Sequence, residues 1–335
     1  MDRWGRFPYA ATRWPDIERP WVSEWIYGQG FKPVYPEGKT WAVVLSHDVD
    51  FLYRKPLGLA KRSAQALRNG QWQSAVENAK RIFSKSYSPE WHPNLMLETE
   101  AKYGARSSWY WLALRNGEQD WNYDLEQTGD LAKATQQAGG SHGLHGGHEA
   151  WRNTSVLGEE KKRFENHFNH SPKGYRNHYL RLSTPQTWPM IEQHCFEHDS
   201  TLAFAEKAGF RGGMAYPYRP WNHAQHRFYD FFEIPLTLMD TGLIEHQKIA
   251  PEHLERFCAP LLQAAAAING VAGLLWHNNN TEGKYKDLYP KILAHCAAEG
   301  AWLCSAEELL EYWKSKKYDF SIDSFVSNLM SENDK

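Results

Sequence analysis

Short apolar strands alternating with helices constrain this chain most, because several of the strands run directly into ionisable residues. "TWAVVLSHDVD" (40–50) begins with Val43, Val44 and Leu45 and ends in His47, Asp48 and Asp50. "GARSSWYWLAL" (104–114), "SHGLHGGH" (141–148), "KGYRNHYLR" (173–181), "VAGLLWHNNN" (271–280) and "AWLCSA" (301–306) read as further strands or extended segments. Between them, "NLMLETEAKY", "DLAKATQQAGG", "LGEEKKRFENHFNH", "YPKILAHCAAEG" and "EELLEYWKS" read as helices, two of them closed by Gly. Such alternation predicts a mostly parallel sheet. Burying charge is costly, so strands that end in His, Asp or Arg point to function gathered at one end of a barrel.

A chain of 335 residues suits one α/β barrel with embellishments. Hydrophobic residues at 41% and charged residues at 23% give the balance of a soluble globular protein. A formal net charge of −2 argues against a nucleic-acid partner. The 16 Trp are read chiefly as packing, with sugar stacking as the functional alternative. Cys195, Cys258, Cys296 and Cys304 form no C-x-x-C pair and read as reduced, mostly buried thiols. The aromatic, Pro-containing start lacks a secretory pattern, and no run of about 18 apolar residues would span a membrane. These features predict a cytoplasmic protein.

The expected organisation is an irregular lead-in (1–39), a barrel domain (40–317) and a C-terminal tail (318–335). Residues 51–92 break the rhythm and read as a helical hairpin inserted after the first strand. Leu57, Leu59, Ala64 and Leu67 suggest its first helix. Trp72, Ala75, Val76, Ala79, Ile82 and Phe83 form an apolar face expected to pack on the barrel. From Arg54 to Lys85 it carries Arg54, Lys55, Lys61, Arg62, Arg68, Lys80, Arg81 and Lys85 against Glu77. That bias would attract an anionic sugar carrier or an anionic membrane surface.

Three strand ends supply the candidate site: Asp48 with Asp50, then His145, His148 and Glu149 with His142 upstream, then His277. One carboxylate and two imidazoles suit a catalytic divalent ion. A second carboxylate could take a proton from water, and a separate His could protonate a leaving group. Taken singly, an Asp at a strand end more often caps a helix, and His-x-x-His arises by chance among 16 His. The conjunction of three clusters is what carries the reading.

"VLSHDVD", "GSHGLHGGHEAW", "GYRNHYLR", "FEHDSTLAF" and "GLLWHNN", in this order, resemble the motif series of the polysaccharide deacetylase (NodB-homology) family over roughly residues 40–310. The HDVD form is most similar to a branch linked to surface polysaccharides. The resemblance implies an α/β fold, a distorted (β/α)7-type barrel, and metal-dependent removal of acetyl groups from N-acetylated sugars. It implies Asp48 as general base, Asp50 and His145 as metal ligands, and His277 as general acid. Arg176 would pair with the base, and Asp199 would tune the acid His. The implied ion is zinc, with cobalt, nickel or manganese as alternatives. The chain departs from the family where a second metal His is expected, since that position is Glu149. His148, one residue earlier, is the favoured third ligand, Glu149 the alternative, and His178 a reserve ligand or substrate contact. The implied substrate is a carbohydrate, anionic or lipid-linked, in a surface polysaccharide or its precursor. Alternative functions are hydrolysis of a non-sugar amide or ureide and non-catalytic carbohydrate binding.

Overall fold

The computed structural model describes residues 2, 5–13, 16–50, 52, 56–82, 93–278, 280 and 283–318. The first strand, β1 (Trp41–Val49), is buried at every position, as its continuous apolar start requires of a strand covered on both faces. It pairs in parallel with β10 (Val271–Leu275) along one side. Its other side is shared between β11 (Ala301–Cys304), which pairs with its first half, and β2 (Ser108–Leu112), which pairs with its second. From β2 the sheet continues in parallel through β3 (Ser141–Gly146) and β4 (Gly174–Asn177). It then reaches two very short strands, β5 (His198–Asp199) and β8 (Phe232–Glu233). A third short strand, β9 (Leu238–Met239), closes the far side on β10. A separate two-residue hairpin, β6 (Trp221–Asn222) with β7 (Arg227–Phe228), lies outside this sheet.

The helices cover the outer face. Among them, α5 (Gly129–Gln137) and α6 (Thr154–Phe168) pack on β3, while α8 (Pro251–Ala266), α9 (Leu288–Ala298) and α10 (Ala306–Ser315) cover β1, β10 and β11. The result is the curled parallel sheet of a distorted (β/α)7-type barrel. Because its strands are parallel, their C-terminal ends share one rim, which is where chemistry gathers on such folds.

The lead-in is more ordered than its Pro and Gly content suggests. It holds a helix, α1 (Trp21–Gly28), whose Ser23 Oγ accepts from Ala215 N at 2.8 Å. Farther upstream, Arg6 Nη1 donates to Tyr179 O at 2.8 Å, which straps the N-terminal segment over the rim. At the other end Tyr318 packs against Trp313, and residues 319–335 lie outside the described residues.

The insertion forms two helices, α2 (Pro56–Arg68) and α3 (Trp72–Ile82), that pack on each other through buried Leu59, Ala66 and Ala75. The expected packing of its apolar face on the barrel is not what the structure shows. Trp72 is 69% exposed and Val76 50%, with Leu57 and Leu67 exposed as well. The reason is local: the hairpin satisfies itself with small residues at its seam and leaves its large ones outside. Phe83, Arg54, Lys55 and Lys85, and the side chain of Arg81, lie outside the described residues.

One buried charge supports the site from beneath. Glu160 of α6 accepts from Gly147 N at 2.8 Å and so fixes the turn after β3. Burial pushes its carboxyl up to about 8, despite that hydrogen bond. Its folded value therefore exceeds its unfolded one. The stability it confers is complete below the unfolded value and is lost as pH rises through about 8. Glu160→Gln keeps the acceptor, so its melting temperature should match wild type near pH 5 and exceed it by several degrees at pH 9. No gain at pH 9 would mean that Glu160 is comfortably ionised in the fold.

Candidate active site

The rim brings Asp48, Asp50, His145, His178 and His277 together around a cavity of about 360 Å³, with Arg176 bonded to Asp48. Register explains the convergence. His145 lies opposite Leu112 and Arg176 across β2–β3–β4, and Ser46, two residues before Asp48, lies opposite Leu275, two before His277.

Asp48 is buried and accepts from Arg176 Nη1 at 2.8 Å. Burial alone would raise its carboxyl, but neighbouring positive charge, the Arg176 guanidinium foremost, outweighs it and holds the group below the usual carboxylate range. Arg176 is itself fixed on all sides: Nε donates to Ser200 O, Nη1 also to Ser46 Oγ, and Nη2 to Ser200 Oγ. Its guanidinium stacks 4.4 Å from the centre of the Tyr110 ring. That ring fits because residue 143 is Gly; a Cβ there would meet Tyr110 at 2.7 Å.

His145 Nδ1 lies 3.0 Å from Arg176 O. A carbonyl only accepts, so Nδ1 carries the proton and Nε2 presents a lone pair. That lone pair faces Asp50 Oδ1 at 3.2 Å, and His178 Nε2 faces the same oxygen at 3.6 Å. Asp50 Oδ1 is buried with no hydrogen-bond donor, so acceptors converge with nothing between them. Asp50, His145 and His178 are the one group among the described residues whose ligand atoms all lie within 4.8 Å of one another. A carboxylate and two imidazoles suit a divalent ion such as zinc, so the residues present fit a metal.

The third member of the candidate metal group is therefore His178, and the favoured His148 lies outside it. After Gly146–Gly147 the chain turns, and His148 Nδ1 points to Asp120 Oδ2 at 3.0 Å. Glu149, the alternative, is paired with exposed Arg152 at 2.6 Å. His178 follows β4 directly, with Nδ1 3.4 Å from the same Asp120 oxygen. Asp120 also accepts from the Tyr179 hydroxyl at 3.3 Å, so one carboxylate is bonded to His148 and faces His178. No sequence signal marks Asp120, which sits in the loop after β2 with φ +70°.

His277 has a carboxylate partner, but it is Asp240 rather than Asp199. Asp240 Oδ1 lies 2.5 Å from His277 Nδ1, and Oδ2 accepts from the His277 backbone N at 2.7 Å. Burial alone would lower the imidazole, yet Asp240, with Asp50 and Asp48, raises it to about 10. Its Nε2 faces Asp50 Oδ2 at 3.6 Å. Asp199 instead accepts from Thr201 N and Oγ1 and shares a buried carboxyl pair with Glu233, in which burial favours protonation. His142 is remote from the group, bonded to Thr135 Oγ1 at 2.8 Å.

The His of "SHDVD" has a different task. His47 Nδ1 donates to Trp276 O at 2.8 Å, and Nε2 reaches Glu100 Oε1 at 2.7 Å. Tyr289 and Ser107 complete the Glu100 carboxylate. This buried network holds the residue just before His277.

The fold and the site define a class: a parallel α/β barrel with a candidate metal centre, a carboxylate and an imidazole at its C-terminal rim. Among solved structures, one similar to it is a proposed polysaccharide deacetylase from Mycobacterium smegmatis. The TM-score is 0.59 at 17% identity, covering 85% of this chain and 94% of that one. Puue allantoinase is similar as well, with a TM-score of 0.59 at 12% identity, covering 91% and 98%. These likenesses establish the fold. No protein-family model and no curated protein sequence matches the chain.

Proposed function

We propose that this protein is a metal-dependent hydrolase that removes the acetyl group from an N-acetylated sugar in a surface polysaccharide or its precursor. The observation that carries the proposal is the set of uncompensated acceptors on Asp50, His145 and His178, flanked by an ionised Asp48 and a protonated His277. A divalent ion held there, zinc or alternatively cobalt, nickel or manganese, would polarise the acetyl carbonyl and acidify water. Asp48 takes a proton from the attacking water, whose oxygen bonds to the carbonyl carbon. His277 then gives its Nε2 proton to the amine nitrogen as the C–N bond breaks. Arg176 keeps Asp48 ionised, and Asp240 keeps His277 protonated and aimed. One environment thus holds a base low and an acid high at the same pH.

The cavity of about 360 Å³ has room for a sugar residue, and Leu180, Ala205 and Met239 give it an apolar wall. A cytoplasmic setting, with an anionic or lipid-linked precursor as substrate, completes the reading. Among the described residues no helix is long and apolar enough to cross a membrane.

Asp240→Asn should retain metal while lowering turnover. It should also move the alkaline limb of the pH–rate profile down by at least about one unit, because the charge that raises His277 is gone. An unmoved limb would remove His277 from the acid role. The function itself is tested by acetate release across N-acetylated sugars, nucleotide sugars and lipid-linked sugars. Equimolar acetate and free amine, abolished by chelator, is the expected result. Cleavage of allantoin without acetate release from any sugar would overturn it.

A further inference from the structure

The α2–α3 hairpin combines a seam of small residues with large apolar side chains left in solvent. Its seam is sealed by Leu59, Ala66 and Ala75, and by the Ser63 hydroxyl donating to Ala75 O at 2.7 Å. The turn between the helices is closed by Gln71 N donating to Ala66 O at 2.8 Å, with Gly70 at φ +71°. Leu67 and Trp72 flank that turn, and Val76 follows Trp72 by one helical turn on the same face. All three are exposed, Trp72 at 69%. Residues 56–82 also carry five Lys or Arg against Glu77, with Lys61, Arg68 and Lys80 exposed, on a chain of net charge −2.

We infer that this hairpin docks the protein on an anionic lipid surface, its apolar tip entering the headgroup layer while its cations meet lipid phosphates. Two signals coincide here, and each needs the other. A few interfacial apolar side chains give weak and reversible attachment, and a cationic cluster adds about a fivefold gain per Lys or Arg near an anionic bilayer. A soluble polyanion would pair with the cations and leave Leu67, Trp72 and Val76 in water. Lipid covers both kinds of side chain. Trp is also the side chain that favours the membrane interface. Charge complementarity and the exposed aromatic tip therefore favour a bilayer over a soluble polymer. Placement relates the contact to the site. Helix α2 begins six residues after Asp50, so its start lies within about 21 Å of the metal centre along the chain. The apolar tip lies one helix length, about 20 Å, beyond that start, so the hairpin would hold the membrane on the side of the molecule from which it leaves the rim.

The test is co-sedimentation of the full chain with vesicles, and it needs no catalysis. The protein should pellet with phosphatidylcholine vesicles rich in phosphatidylglycerol and not with phosphatidylcholine alone, and salt should weaken the binding. Lys61→Gln and Lys80→Gln should each weaken it about fivefold. Trp72→Ser combined with Val76→Ser should weaken it by roughly tenfold or more, because the apolar area is lost. These positions are exposed, so an unchanged melting temperature will confirm that the variants fold. Absence of binding to the anionic vesicles at low salt would overturn the inference. So would binding that follows the cations alone and is matched by dextran sulfate, which would assign the hairpin to a soluble polyanion. Lipid-independent self-association abolished by the Trp72 and Val76 changes would assign the face to a second copy of the chain and overturn it as well.

Discussion

Asp48→Asn lowers kcat by about 10³-fold while metal affinity stays within a few-fold of wild type. The amide cannot accept the proton of the attacking water, yet it is close in size to the carboxylate and still accepts from Arg176 through its oxygen. Asp48 is not among the three groups whose ligand atoms converge, so the ion should remain. The variant loses the ion pair that compensates a buried guanidinium, and some stability will go with it. The bonds of Arg176 to Ser46 and Ser200 limit that loss. Turnover and metal content measured on the same folded sample separate the base from the ligands. Normal turnover would make Asp48 structural, and loss of the ion would make it a ligand.

The second large effect concerns the third ligand. His178→Ala should cost at least about 10²-fold in affinity for zinc or cobalt, comparable with His145→Ala and Asp50→Ala. His148→Ala should cost much less, because His148 lies outside the converging group and is joined to it through Asp120. Asp120→Asn falls between them, since it loosens the orientation of His178 without removing a ligand. Calorimetric titration of the metal-free protein gives all of these directly. A larger loss at His148 than at His178 would restore the arrangement that the sequence motif suggests.

The pattern of strands was readable because four of them, β1, β2, β10 and β11, carry several apolar residues in a run and so resemble buried parallel strands wherever they occur. The short strands were not. His198–Asp199, Phe232–Glu233 and Leu238–Met239 are too brief to show a period, and their pairing is set by neighbours distant in sequence. Helices α7 (Thr184–Gln193) and α8 contain Pro189 and Pro260, which mask a helical reading although tertiary packing tolerates them.

The same logic divides the site. Asp48, Asp50 and His277 could be proposed because each follows an apolar run at a strand end, and His145 because it enters a Gly-rich strand tip. Asp240 bears the same signature, at the end of "IPLTLMD", and could have been found by it. The choice between His178 and His148 could not, because it depends on how Gly146–Gly147 turns and on Asp120, a loop residue from elsewhere in the chain. The hairpin was legible as two helices and as a basic surface. Which way its large apolar residues face was decided by the small residues at its seam.

Anomalous diffraction from crystals of the protein loaded with zinc or cobalt tests the central claim most directly. The account predicts one strong peak bonded to an Asp50 oxygen and to Nε2 of both His145 and His178, with His148 resting on Asp120. A peak on His148 or Glu149 in place of His178, or no ordered ion at the rim of the barrel, would contradict it.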